Sequence, residues 1–264
     1  MAKSSDLQPG NPHQITRKQH IFPAKSIERF CVNNAVDVWL TKQGKKIRVN
    51  QRNAIFTGNR IWDHATERGS SGVEAEFQEI ADSCVDDKRD HLGKDECEIV
   101  SAFYGLLLSR QEVLDNPLPP AVVYGVTGWD KSKYQDEMEY IESHGGHTIC
   151  QVGNVATIDE RQINGITVFK KMDRFLLDNA GLEWVITHAP AGREFVVPDR
   201  FSSNVNGVLK HYAAIPITPR IALITPAVFL CQRFLAPTQI QFINSIAKKF
   251  SRVYYFASNL EAVL

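Results

Sequence analysis

The chain has 264 residues, of which 43% are hydrophobic and 23% charged, a balance typical of a folded globular protein rather than a disordered or fibrous one. Its 30 basic and 30 acidic residues leave no net charge, which argues against a protein dedicated to binding nucleic acid. No apolar run approaches the roughly 18–20 residues that span a bilayer, and the start lacks the apolar core of a signal peptide, so we expect a cytoplasmic protein without membrane contact. The five cysteines are scattered without a Cys-x-x-Cys pair, so neither a zinc nor a redox site is predicted.

The chain begins with a polar tail and a short stretch around a histidine. Residues 1–16 are rich in Ser, Pro, Gly and Asn, and we predict a flexible tail there, followed by a single α+β domain over residues 17–264. The stretch 18–30 places His20 ahead of Pro23 and of a short amphipathic segment. We therefore expect a titratable group beside the start of a helix.

Charge is distributed unevenly along the chain. Residues 1–60 contain eleven Lys or Arg and three acidic residues, whereas residues 61–100 contain four basic and twelve acidic residues. One interpretation is a basic surface for a polyanion, and the other is two segments that neutralise each other in the fold. The basic residues that would contact nucleic acid are Lys18, Lys25, Arg29, Lys45, Arg48 and Arg52.

The middle of the chain carries one hairpin signal followed by several helix signals. Apolar residues alternate on both sides of a glycine-containing turn, which predicts a β-hairpin over residues 35–50. Ser71 and Glu74 have the spacing of a capping box, which predicts that a helix begins there. Apolar periodicity predicts further helices at 94–114, 130–144, 158–179 and 238–250.

Short β-rich runs dominate the last third of the chain. Residues 183–187 and 194–198 flank a turn with Pro and Gly, which predicts a hairpin that ends just before Asp199. Residues 213–225 supply two further strands and residues 252–257 a last one. A helical middle between two groups of strands predicts an α+β fold, with the N-terminal hairpin and the C-terminal strands in one mixed or antiparallel sheet.

Four short motifs resemble an uncharacterised bacterial family. They are Lys18-Gln-His-Ile-Phe-Pro with Glu28-Arg-Phe30, Trp184-Val-Ile with Arg193-Glu-Phe-Val-Val-Pro-Asp199, Ile215-Pro-Ile-Thr-Pro-Arg-Ile-Ala-Leu223, and Gln241-Phe-Ile-Asn244. Members of that family open with a His-x-x-Pro motif and later carry a Thr-Ser-Asp strand end and a Pro-Leu-Ser-Pro strand. The resemblance implies motif positions at His20, Pro23, Phe30, Asp199, Pro216, Pro219 and Asn244. Val197 and Pro198 stand in place of the Thr-Ser pair, so the two hydroxyl groups of the family motif are missing.

Four residues are candidate catalytic groups: His20, Asp199, Glu76 and Arg110. His20 has an ordinary pKa near about 6.5, so it can act as acid or base, or ligate a metal when neutral. Asp199 would orient His20, hold a cation or cap the following turn, and Glu76 would line the site from a helix. Arg110 lies on a largely apolar helix face, where a guanidinium needs an acidic partner or a bound anion.

These residues lead to two classes of function. In the first, the protein cleaves phosphodiester bonds as a nuclease or RNase-like toxin, and the family resemblance implies a bacterial defence setting. A divalent cation such as magnesium or manganese would assist this reaction, although the sequence leaves the metal and its ligands open. In the second, the protein is a noncatalytic module whose basic segment 17–60 binds nucleic acid, or whose surface binds an unidentified protein, and His20 is structural.

Overall fold

Helices and strands are distributed over the whole of the described chain. The computed structural model describes residues 7–86, 89, 91–202, 204–205, 209–210, 212–226 and 233–263. The helices within these residues are α1 (Ala24–Glu28), α2 (His64–Val85), α3 (Lys94–Asp115), α4 (Lys131–Ser143), α5 (Glu160–Asp178) and α6 (Pro237–Phe250). The strands are β1 (Lys18–His20), β2 (Val36–Leu40), β3 (Lys45–Val49), β4 (Thr57–Asn59), β5 (Ala121–Val123), β6 (Trp129–Asp130), β7 (Ile149–Val152), β8 (Val155–Ile158), β9 (Val185–His188), β10 (Val197–Pro198), β11 (Asn204–Val205), β12 (Leu209–Lys210), β13 (Ala214–Pro216), β14 (Ile221–Ile224) and β15 (Tyr254–Ala257). None of the helices in these ranges combines the length and apolar character needed to cross a membrane.

A four-stranded antiparallel sheet joins the two ends of the chain. Its order is β10-β15-β2-β3, so the C-terminal strand β15 lies between β10 and the N-terminal hairpin. Tyr255 of β15 pairs with Trp39 of β2, which pairs in turn with Lys46 of β3. The predicted α+β class, the hairpin and the pairing of both chain ends are confirmed.

The remaining strands form separate small sheets instead of extending this one. Strands β13, β14 and β9 make an antiparallel three-stranded sheet, and β5, β8, β7 and β6 make a mixed four-stranded sheet. Strand β1 pairs with β4, and β11 pairs with β12. Strand β13 ends at Pro216, whose nitrogen cannot donate to a ladder. The C-terminal strands are therefore divided among several sheets, whereas the sequence predicted one.

The largest hydrophobic core lies between the end-joining sheet and helices α1, α2 and α3. Phe30 after α1, Val38 of β2 and Phe256 of β15 are fully buried in it. Phe77 of α2 and Phe103 of α3 stack with their ring centroids 3.7 Å apart. Since burying one such aromatic side chain contributes about 1.5–3 kcal/mol, this stack holds α2 and α3 together within the core.

The predicted start of the first long helix at Ser71 is wrong. Helix α2 begins at His64, because the carboxylate of Asp63 accepts a hydrogen bond of 2.9 Å from the backbone N–H of Thr66. Ser71 lies inside the helix, where its hydroxyl donates to the carbonyl oxygen of Arg68 at 2.6 Å. Aspartate is as good an N-cap as serine, and here the earlier of the two candidate caps begins the helix.

The predicted hairpin over residues 183–198 is also wrong. Strand β9 pairs with β14, and β10 pairs with β15. The loop between β13 and β14 takes the place of the expected partner: the N–H of Ala189 donates to the carbonyl oxygen of Arg220, and the N–H of Phe195 to that of Pro219. The local turn signal was present, but pairing with distant strands satisfies the same backbone groups.

Residues 7–16, which the sequence assigned to a flexible tail, lie against α4. The backbone N–H of Gln8 donates to the Glu139 carboxylate at 2.9 Å, and Nε2 of His13 lies 2.8 Å from Oδ1 of Asp136. Ile15 is buried. The rest of the predicted tail, residues 1–6, lies outside the described residues.

Candidate functional site

His20 lies at the end of β1, opposite Thr57 of β4. Its imidazole is partly buried, and Nε2 lies 3.4 Å from the carbonyl oxygen of Gln51. Burial lowers the pKa of His20; the Gln51 carbonyl and the Glu74 charge raise this pKa, and the Arg110 charge lowers it. The net direction is downward from 6.5, so His20 is mostly neutral at pH 7 and able to accept a proton.

Arg110 of α3 lies behind His20 in an ion pair with Glu74 of α2. Its Nη1 is 2.6 Å from Oε1 of Glu74 and 3.4 Å from the carbonyl oxygen of His20, and the guanidinium carbon lies 5.3 Å from the centroid of the Trp62 ring. The acidic partner expected for Arg110 is therefore present. Because the Arg110 side chain is only 1% exposed, this guanidinium positions Glu74 and cannot reach a phosphate in solvent.

Glu67 lies two turns before Glu74 on α2 and extends this polar cluster. Its Oε2 accepts a 2.7 Å hydrogen bond from Nε1 of Trp62. Burial raises the pKa of Glu67, against the lowering effect of the Arg110 charge. Glu67 and Glu74 therefore face the same interior region. Of the predicted site residues, the structure brings His20 and Arg110 together there.

Glu76 and Asp199 are not part of this cluster. Glu76 is exposed on α2, because a helix turns its residues two positions apart to different sides. The carboxylate of Asp199 accepts hydrogen bonds from the backbone N–H groups of Arg252 (2.8 Å) and Val253 (2.9 Å). Burial raises the pKa of Asp199, and these backbone donors lower it. Among the contacts of the described residues, none joins Asp199 to His20, and Asp199 instead anchors the chain that leads into β15.

The predicted nucleic-acid-binding residues fall into two groups. Lys25 and Arg29 both pair with Asp82 of the acidic segment, at 2.7 and 2.5 Å. Arg48 pairs with Asp37 inside the hairpin, at 2.9 Å. For Lys25 and Arg29 the neutralisation of one segment by the other describes the fold better than a free basic surface, whereas Arg48 is neutralised within its own segment.

Lys18, Lys45 and Arg52 form the second group. All three are exposed, and no ion pair of theirs occurs within the described residues. Lys18 shares a face of β1 with His20 because side chains alternate along a strand. Arg52 directly follows Gln51, whose carbonyl group meets the His20 ring. Lys18 and His20 thus lie on one face of β1, and Arg52 is the next residue after the one whose carbonyl group contacts the imidazole.

A buried aspartate holds an exposed histidine at the start of α2. Besides capping α2, Asp63 has its Oδ2 2.9 Å from Nε2 of His147. Asp63 is buried, whereas His147 is exposed. Gly165 of α5 makes room for this arrangement, since a Cβ there would lie 2.0 Å from Oγ1 of Thr66 and 2.9 Å from Oδ1 of Asp63. The sequence analysis missed this pair. The feature that points to Asp63 is its cap signal before an apolar-periodic stretch.

Neither a metal site nor a known relative identifies the function. Within the described parts of the chain, no group of three or more His, Cys, Asp or Glu side chains has an arrangement that could hold a metal ion. No family model, curated protein or solved structure matches the chain. The resemblance to an uncharacterised bacterial family therefore stays a prediction, and any functional conclusion depends on the geometry around His20.

Proposed function

We propose that the protein cleaves phosphodiester bonds of a nucleic acid in the cytoplasm, with His20 as the acid–base group. The observation that carries this proposal is the partly buried imidazole of His20 with a lowered pKa, on the same face of β1 as the exposed Lys18. A neutral imidazole accepts protons, and ammonium and guanidinium groups bind phosphate oxygens. These are the functional groups that a site for acid–base cleavage of a phosphodiester requires.

Each residue of the cluster has a defined role in this proposal. Lys18 and Arg52 bind the phosphate and stabilise the charge that builds up on its oxygens. His20 takes the proton of the attacking hydroxyl group as the new P–O bond forms, and the departing oxygen takes a proton from water. Glu74 favours the protonated imidazole through its negative charge, and Arg110 holds Glu74 in place. Both are positioning residues.

The test is cleavage of RNA, DNA and transfer RNA by the purified protein, with and without magnesium or manganese. General acid–base groups typically contribute about 10²–10⁴-fold, so His20→Ala is expected to lower the rate by at least ~100-fold. His144→Ala is the matched control, because His144 is an exposed histidine at the end of α4. Equal rates for wild type and a folded His20→Ala protein would refute the proposal.

A noncatalytic nucleic-acid-binding module is the second candidate, and the exposed cations Lys18, Lys45 and Arg52 favour it. Binding alone predicts that His20→Ala keeps full affinity, whereas replacing the three cations by alanine weakens binding and reduces its salt dependence. Filter binding of labelled RNA and DNA at several salt concentrations measures both quantities. Cleavage by the wild-type protein, lost in His20→Ala with unchanged binding, separates the first candidate from this one.

A further inference from the structure

A second polar site lies in a cleft between α4 and the start of α5. The cleft leaves about 30 Å³ for the centre of a water-sized molecule, and none of its lining residues belongs to the His20 cluster. The charged and polar side chains that matter here are those of Arg60, Lys131, Glu142, Cys150, Asp159 and Arg161. The site combines buried guanidinium groups with carboxylates, so some of its hydrogen-bond donors and acceptors pair with each other.

The carboxylates of this cleft are well supplied with donors. Glu142 accepts hydrogen bonds from Nη2 of Arg60 at both oxygens (3.0 and 2.8 Å), from Nη1 of Arg161 (3.3 Å) and from the backbone N–H of His64. Asp159 accepts from the backbone N–H of Arg161 (2.9 Å) and from its Nε (2.8 Å) and Nη2 (3.2 Å). These acceptors are used within the cleft itself.

Part of the Arg60 guanidinium makes no hydrogen bond within the described residues. Its side chain is 3% exposed, yet Nε and Nη1 have no hydrogen-bond partner within the described residues. Buried N–H groups without acceptors are costly, and a guanidinium carries charge as well. The backbone of Arg60 has a φ of +48°, a left-handed conformation that non-glycine residues seldom adopt, and its N–H donates to the carbonyl oxygen of Arg17 at 3.0 Å. The fold thus holds Arg60 in a demanding position with part of its guanidinium unpaired.

We propose that this cleft binds a small oxyanion, a phosphate or a carboxylate group, through Nε and Nη1 of Arg60. A guanidinium is suited to this task because its N–H groups are fixed in one plane and match the oxygens of such anions. Three basic side chains and three carboxylates line the cleft: Arg60, Lys131 and Arg161, and Glu139, Glu142 and Asp159. Burial, reinforced by the charges of Glu160 and Glu142, raises the pKa of Asp159 to about 7, so near neutral pH this carboxylate carries less than a full negative charge.

Cys150 provides a direct readout, because its partly buried thiol lines the same cleft. The rate of alkylation of Cys150 is measured by mass spectrometry with inorganic phosphate, acetate or chloride at equal ionic strength. At ten times the Kd, a bound anion is expected to slow alkylation about tenfold. Cys97 of α3, whose thiol lies outside both this cleft and the His20 cluster, is the internal control and should react at a constant rate.

A variant then assigns the effect to Arg60. Arg60→Lys keeps a charge to pair with Glu142 but lacks Nε and Nη1, so protection of Cys150 is expected to disappear. Arg68→Lys, which changes an exposed arginine of α2, should keep it. Protection by phosphate alone identifies a phosphate group as the ligand, and protection by acetate as well identifies the shared oxyanion chemistry.

Two results would overturn the proposal. One is a Cys150 alkylation rate that neither phosphate nor acetate changes in the wild-type protein. The other is equal protection in wild type and a folded Arg60→Lys variant. If Arg60→Lys does not fold, the wild-type comparison of phosphate and acetate with chloride decides alone. Since no readout involves His20, failure here leaves the proposed cleavage reaction untouched.

Discussion

The ion pair between Glu74 and Arg110 tests how polar contacts hold α2 against α3. Replacing Glu74 by Ala leaves the Arg110 guanidinium with the Trp62 ring, the carbonyl oxygen of His20 and the more distant charge of Glu67. Removing one partner of a buried pair typically costs about 3–5 kcal/mol. Because the Glu74 side chain is 25% exposed, water reaches part of the site and the expected loss is smaller, about 2–3 kcal/mol.

Urea unfolding measures this loss as a lower midpoint at an unchanged slope. Glu76→Ala is the matched control: the residue lies on the same helix and is exposed, so the expected change is within about 0.5 kcal/mol. The double variant Glu74→Leu with Arg110→Met removes both charges and should lose less than either single variant. The reasoning is refuted if Glu74→Ala and Glu76→Ala unfold at the same urea concentration, or if the two single losses add in the double variant.

Three further predictions concern titration, strand anchoring and helix packing. The pKa of His20 is lower in the folded than in the unfolded protein. The contribution of neutral His20 to stability is therefore present above pH 6.5 and is lost as the pH falls toward the pKa of the folded protein. The urea midpoint should depend less on pH between about 5 and 8 in His20→Asn than in the wild type. Asp199→Asn leaves one backbone N–H without a carboxylate acceptor and should cost about 1–3 kcal/mol, seen as a lower Tm. Cleavage by the folded Asp199→Asn protein should stay at the wild-type rate, and a specific loss of cleavage would show that Asp199 does more than anchor a strand. Gly165→Ala should destabilise the protein because its Cβ would meet Oγ1 of Thr66, whereas Gly72→Ala, with open space around it in α2, should stabilise by about 0.5–1 kcal/mol. A change of Tm in the same direction for Gly165→Ala and Gly72→Ala would contradict this packing.

Local sequence patterns predicted those helices and hairpins that depend only on residues close together in the sequence. The hairpin β2–β3, α3, α5 and α6 were predicted from alternation and periodicity, because neighbouring residues alone determine those patterns. The same kind of signal failed at α2, where Asp63 and Ser71 are both good caps and only the packing of the region shows which one begins the helix. The apolar environment of Arg110 correctly predicted an acidic partner, although not its identity.

The sequence by itself determined the α+β class, most of the helices and the need for a partner at Arg110. Tertiary structure alone decided that β9 pairs with β14, that Asp199 binds the backbone before β15 and that Glu74 pairs with Arg110. It also decided which basic residues are free, by placing Asp82 against Lys25 and Arg29. The physical reason is the same in each case. Hydrogen bonds and ion pairs between segments depend on which distant parts of the chain come into contact, and local periodicity does not predict those contacts.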